Sequence, residues 1–273
     1  MATLKRVLKN LIYILGFSAT LASFYLTIYN PLTELSAIIK IILILLFMLV
    51  NFGVAFVLGW PLSKINLKIS NKIDLNIYYD DLFNQNGIII IIPVNEYFDT
   101  LVDERIISSS TVHGQFIKKV FGGNIEELEL KINKELQNYK EKSIVSRPRG
   151  NCKKYELGTT ISVNKDGKDY FLVAFTRFND SNKAESFNID YQVTLKSLLD
   201  FIHINSQGKD INIPLIGAGQ SGVNLTKQKL LEYLLFSIQI HDCFTVSGRT
   251  NVVLNKGLKD VIDLNRIKDL YSI

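Results

Sequence analysis

Gly217-Ala218-Gly219-Gln220-Ser221-Gly222 is the stretch of this chain whose residue types and spacing could most directly do chemistry. It follows the apolar run Ile211-Asn212-Ile213-Pro214-Leu215-Ile216 and precedes a helical pattern that begins near Asn224. Strand, glycine turn and helix start in that order form an anion cradle. Glycines let backbone N–H groups approach a phosphate, and the helix N-terminus adds partial positive charge. A tight connection between strand and helix accounts for the same glycines without any ligand. Two phosphate motifs are excluded. No Lys-Ser or Lys-Thr follows Gly222, as a Walker loop needs, and the turn lies in the last quarter of the chain, not after a first strand. A second edge lies upstream, where five isoleucines, Ile88 to Ile92, run into Pro93-Val94-Asn95-Glu96-Tyr97-Phe98-Asp99-Thr100. A buried strand that delivers an asparagine and then an acidic residue at its C-terminal end marks a ligand edge in α/β sheets.

Composition narrows the partners. Net charge is +5 over 273 residues, with lysines spread along the chain and no long basic tract. That balance suits a cytosolic face near anionic lipid and is too diffuse for nucleic acid. Cys152 and Cys243 are the two cysteines, and His113, His203 and His241 show no ligand spacing, so neither a disulfide scaffold nor a metal site is expected.

The elements that must position these residues begin with two apolar runs. Leu11–Tyr29 holds nineteen residues without a charge and Ile41–Trp60 holds twenty. A membrane-spanning helix needs roughly twenty apolar residues, so both qualify. A cleaved signal peptide fits the first run poorly, because Thr20-Leu21-Ala22 is a weak cleavage site and the apolar pattern continues past it. Lys5, Arg6 and Lys9 precede the pair, Lys64, Lys68 and Lys72 follow it, and the Asn30–Lys40 loop carries Glu34 and a single lysine. Positive charge stays inside, which predicts a multi-pass hairpin over residues 1–62 with both termini cytosolic. Ala19 and Ser23 give the first helix a small-residue face. Asn51, near the middle of the second, wants a polar partner in lipid, within its own hairpin or across to another. Neither span carries an ionisable residue at its centre, which argues against an ion-coupled transporter.

Residues 63–273 read as one cytosolic domain. Ile65, Leu67, Ile69, Ile73, Leu75 and Ile77 alternate with mostly polar residues, a half-buried strand or pair of strands. After Gly87 the isoleucine run predicts a strand covered on both faces. Asn124 with Glu127 resembles a capping box ahead of Ile125, Leu128, Ile132 and Leu136. Leu157–Val163 and Asp169–Phe175 flank Asn164-Lys165-Asp166-Gly167 as a hairpin. Tyr191, Leu195, Leu198, Leu199 and Ile202 form one helix face, and Leu231, Leu234, Leu235 and Ile238 another. Val252-Val253-Leu254 and a last amphipathic segment close the chain. Strands and helices alternate, so the domain is an α/β sandwich.

A strand ending in Val94-Asn95, with a later strand running through Pro214-Leu215-Ile216-Gly217 and Gly219 to Gly222 into a helix, resembles the macrodomain fold. That likeness implies a mixed-sheet α/β/α sandwich that binds ADP-ribose and related metabolites. The chain is also similar to membrane-anchored macro-like effectors of type II Thoeris anti-phage defence. The likeness rests on Ile92–Thr100, His113-Gly114-Gln115-Phe116, Tyr155–Thr159, Ala174-Phe175-Thr176, Gly217–Gly222 and the N-terminal hairpin. It implies a partner enzyme with a TIR domain that makes an ADP-ribose-type signal, thought to carry histidine. The macro-like domain would bind that second messenger, form homo-oligomers, and so damage the inner membrane and abort infection. Carried over by position, Gly217, Ala218, Gly219, Gln220, Ser221 and Gly222 would cradle the diphosphate. Asn95 would hold a ribose hydroxyl, and Asp99 or His113 would read the ribose or its attached group. Asp99 as a turn cap and His113 as a satisfied histidine at a helix start are the plainer alternatives. Arg147, Arg149, Lys153 and Lys154 could meet phosphate or form a solvated loop facing lipid headgroups. Macrodomain hydrolases usually carry a glycine run after the strand asparagine, and between Glu96 and Phe116 this chain has Gly114 alone. Binding without turnover, with no cofactor and no catalytic residue, is the reading that follows. A membrane-anchored ADP-ribosyl hydrolase is the alternative.

Overall fold

In the computed structural model, which describes residues 2–29, 32–33, 35–70, 73–85, 88–179, 184–219 and 223–271, the two apolar runs are helices, α1 (Ala2–Ile28) and α2 (Ala37–Gly59). Asn30, Glu34, Lys72 and Gly87, used above, lie outside the described residues. The chain divides into two units, Met1–Leu62 and Ser63–Ile273.

Within the first unit the hairpin closes along Asn51, Ala55 and Gly59, spaced four apart so that they share one face of α2. Small side chains let the helices approach, and a Cβ on Gly59 would collide with Val7. Asn51 is buried there. Its carbonyl accepts from Ser18 Oγ at 2.8 Å, and its amide donates to the Phe47 carbonyl at 2.7 Å. Asn51 therefore finds its partner inside the hairpin, and both polar groups are satisfied without a second copy. Ala19 and Ser23 lie on the outer, exposed side of α1, away from this seam. Both helices are long and apolar enough to cross a membrane, with mean hydropathy 1.8 over Leu4–Ile28 and 3.0 over Ala37–Gly59.

The second unit is built on a mixed sheet. The alternating stretch is two antiparallel strands, β1 (Lys64–Ser70) and β2 (Ile73–Tyr79), in which Ile65, Leu67, Ile73, Leu75 and Ile77 are buried. Then come β3 (Ile89–Asn95), α3 (Val112–Val120), α4 (Ile125–Leu136) and a small exposed hairpin, β4 (Ser143–Ile144) with β5 (Lys153–Lys154). Next are β6 (Thr160–Lys165), β7 (Lys168–Phe178), β8 (Ala184–Glu185), α5 (Asn188–Asn205) and β9 (Ile211–Pro214). The chain ends with α6 (Lys227–Ile240), β10 (Thr250–Leu254) and α7 (Leu264–Tyr271).

Strand order is β1-β2-β10-β9-β3-β7-β6, with β8 on β7. The five inner strands run parallel; β1 and β6 close the edges antiparallel. Ile89 to Ile92 are fully buried because successive side chains point to opposite faces and both faces are covered. Ile90, Ile92 and Val94 pack with Phe116, Leu128 and Ile132 of α3 and α4. On the other face Phe171 meets Phe201 edge-on, and Phe175 meets Tyr191, both on α5. Local chemistry sets the joints. Asn124 accepts from Glu127 N at 3.2 Å and caps α4, while the return arm of the box is a side-chain bond of 3.4 Å, not a bond to backbone. Asp166 (φ 51) and Gly167 (φ 75) form the two-residue turn between β6 and β7.

Candidate functional site

Parallel strands place their C-terminal ends on one edge of a sheet, and there lies a cavity of about 810 Å³. Each inner strand contributes residues at or just after its C-terminal end: Asp80 and Asp81 after β2, Asn255 and Lys256 after β10, Leu215 and Gly217 to Gly219 after β9, Asn95 from β3, Thr176 and Phe178 from β7. Ser108, Thr111 and His113, at the start of α3, form the opposite wall. Of the residues singled out by sequence, Asn95, His113, Gly217, Ala218 and Gly219 meet here. Gln220, Ser221 and Gly222 lie outside the described residues, and Asp99 does not line the cavity.

The glycine turn has a definite geometry. Ala218 N–H donates to the Leu215 carbonyl at 3.3 Å with Gly217 at φ 78, as in a type II turn, whose third position needs a left-handed residue. The helix after it starts at Lys227, capped by Thr226, three residues later than the sequence pattern suggested. Lys227 Nζ donates to the Ala218 carbonyl.

Asn95 is held by its own loop. Its Oδ1 accepts from Tyr97 N at 3.1 Å and Asp99 N at 3.2 Å, and its Nδ2 donates to Asp99 Oδ2 at 3.1 Å. Among the described residues the second Nδ2 hydrogen has no acceptor. Phe98 in the same loop adopts φ 51, a strained conformation for a large residue, and its ring is fully buried edge-on against Tyr155. His113 is buried and hydrogen-bonded to the Asp99 backbone; burial pushes its pKa down to about 3, only partly opposed by that bond. It is therefore neutral, and its second ring nitrogen is an acceptor.

Asp99 is sealed behind the wall, beneath the loop between β4 and β5. Arg147 Nη1 reaches its two oxygens at 3.0 and 3.3 Å, Asn151 N donates to it at 2.6 Å, and the Arg147 guanidinium lies 3.9 Å from the Tyr97 ring centre. Burial raises the Asp99 pKa, against the pull of Asn151 N–H and Arg147. Lys154 pairs with buried Glu96 at 3.0 Å and Arg149 with Asp103 at 3.2 Å. Arg147, Lys154 and Arg149 thus clamp the loop after β3, while Lys153 is exposed in β5; none of the four lines the cavity.

Asp80 and Asp81 escaped the sequence reading, although a period-two strand delivers them by the rule that singled out Asn95. A hydrogen bond from Gln85, then Lys256, brings the Asp80 pKa down to about 2, and Lys119 lowers that of Asp81. Both are acceptors at neutral pH, beside Leu82 and Phe83 on the cavity wall. Among the described residues no cluster of His, Cys, Asp and Glu could hold a metal ion.

This architecture is that of a macrodomain. The Oceanobacillus iheyensis macrodomain matches it in a point mutant with ADPR and in a form with MES bound, each with TM-score 0.53. Identity is 13% and 15%, with 76% of this chain covered and 98% and 97% of those chains. The family described as Thoeris protein ThsA, Macro domain, matches residues 75–255. Thoeris protein ThsA of Bacillus amyloliquefaciens (strain Y2) is 31% identical over 245 residues, covering 83% of this chain and 79% of that protein. The chain belongs to the Thoeris ThsA macro-domain family.

Proposed function

We propose that this protein is a membrane-held receptor for an ADP-ribose-type nucleotide, made as a histidine conjugate by a TIR-domain partner. The observation that carries the reading is the cavity itself. At about 810 Å³ it falls in the size range of small-molecule sites, roughly 300–1,000 Å³. Its lining suits the parts of such a molecule in order. Asp80 and Asp81 accept an exocyclic amine beside Leu82 and Phe83, the Gly217–Gly219 turn donates to the diphosphate, and Asn95 and His113 meet a ribose or its attached group. An Oceanobacillus iheyensis relative in fold holds ADPR. Asp99 serves this site indirectly, by fixing Asn95.

Binding without turnover fits the titratable groups. Asp80 pairs with Lys256 and Asp81 with Lys119, Glu96 is tied to Lys154 and Asp99 to Arg147. No carboxylate among these is poised to activate a water.

The output then falls to the hairpin. A ligand drives assembly only through differential affinity for the assembled state. Because Asn51 is already paired, assembly between copies falls to the outer face of α1, where Gly16, Ala19, Thr20, Ser23 and Thr27 are exposed. Small residues of this kind let helices in lipid pack closely. Homo-oligomers formed there would breach the inner membrane and abort infection. The test is toxicity when the signal is supplied to cells carrying either the full chain or residues 63–273. Death only with the full chain is expected. Death with both would make the helices an address and favour a hydrolytic activity.

A further inference from the structure

We infer that Lys227 is a positioning residue for an anionic ligand: by holding the Ala218 carbonyl it turns the Gly219 N–H into the cavity. The inference rests on the reading that the cavity takes a diphosphate-bearing nucleotide. Lys227 is the first residue of α6, and its ammonium donates to the Ala218 oxygen, with no carboxylate partner among the described residues. A peptide group is planar and trans, so its C=O and N–H point in opposite directions. Ala218 and Gly219 lie on the cavity wall and Lys227 lies off it. A carbonyl drawn toward Lys227 therefore leaves the Gly219 N–H on the cavity side.

Among the described residues that N–H makes no hydrogen bond and nothing stands within 4 Å of where a Gly219 Cβ would be. The turn thus holds a donor without an acceptor among the described residues. The type II turn fixes the peptide before it, through Ala218 N–H and Gly217, but leaves the Ala218–Gly219 peptide free to flip. Flipped, it would present a carbonyl oxygen to the cavity and repel a phosphate. Lys227 decides between the two orientations, so one side chain outside the cavity sets whether the turn accepts an anion.

The test titrates ADP-ribose and adenosine, which lacks the diphosphate, into the full-length protein in detergent micelles. Wild type, Lys227→Met and Lys227→Arg are compared. Lys227→Met is expected to weaken ADP-ribose binding about tenfold to a hundredfold, the range for a hydrogen bond to a charged group. Adenosine affinity and Tm should stay at their wild-type values. Arginine can donate to the same carbonyl, so Lys227→Arg should recover most of the loss. Wild-type ADP-ribose affinity in Lys227→Met overturns the inference. So does equal loss of both ligands with a lowered Tm, the mark of a mere fold clip, and so does failure of arginine to recover binding. A wild-type protein that takes up no ADP-ribose sinks the reading of the cavity, and this inference with it.

Discussion

Gly217 and Gly219 stand two residues apart and are glycine for different reasons. Gly217 has φ 78, and a Cβ there would press on Leu230, Tyr191 and Val223 at 3.4 Å. Gly219 has neither constraint among the described residues, so the fold around it does not call for a glycine there. Gly217→Ala should therefore cost about 1–2 kcal/mol of stability, the usual penalty for a left-handed alanine, while Gly219→Ala leaves the unfolding midpoint unchanged. Denaturant unfolding of the two variants decides it. His113 makes a second residue-scale prediction. Its folded pKa of about 3 lies below the ordinary histidine value of 6.5, so between those limits the unfolded chain binds more protons. Its stabilisation is complete above pH 6.5 and is lost as pH falls toward 3, amounting to about 2 kcal/mol at pH 5. Unfolding measured at pH 5 and pH 7.5 should show this loss in wild type and not in His113→Gln.

The elements show what could be read from the chain and what could not. Strands and helices with a clean apolar period were legible: Ile89–Asn95, the face of α5 from Tyr191 to Ile202, and the hairpin turning at Asp166-Gly167. Asn124 as a cap was legible because capping is local. The clamp over Asp99 was not. Arg147 lies 48 residues from Asp99 in a segment without periodicity, and only the fold brings them to 3.0 Å. Local reasoning accordingly left Asp99 between ligand and turn cap and Arg147 between phosphate and lipid, and did not name the pair they form. Breaking a buried pair by removing one member leaves an uncompensated charge, which costs about 3–5 kcal/mol. Arg147→Met should lose about that much stability in thermal or denaturant unfolding. Arg147→Met combined with Asp99→Asn, which removes the stranded charge, should regain most of it.

At the scale of the whole molecule, length and apolarity alone made both long apolar helices legible, and the strand-turn-helix order exposed one part of the cavity wall. The part at Asp80 and Asp81 needed the strand order. β2 is remote from β9 in sequence and joins the same sheet two strands away through β10, which pairs with both. Charge around the hairpin carries its own prediction. With Lys5, Arg6 and Lys9 before it and Lys64 and Lys68 after it, only the connecting loop should face outward. A cysteine placed at position 34 should react with an impermeant reagent on intact cells, and one at position 260 should not. The reverse pattern would overturn the orientation.

The proposed binding is of an intact ADP-ribose-type nucleotide in the cavity, at the glycine turn. Its most direct test is a calorimetric titration of the full-length protein in micelles with ADP-ribose and its histidine conjugate, followed by mass analysis of the recovered ligand. Wild type should bind one equivalent, with about 2.7 kcal/mol of added stability at a hundredfold excess over Kd. Gly219→Glu, whose carboxylate would occupy the phosphate's place, should bind none while folding normally. The recovered nucleotide should have its starting mass. Wild-type affinity in Gly219→Glu, no uptake by the wild type of either nucleotide, or a cleaved product would contradict the account.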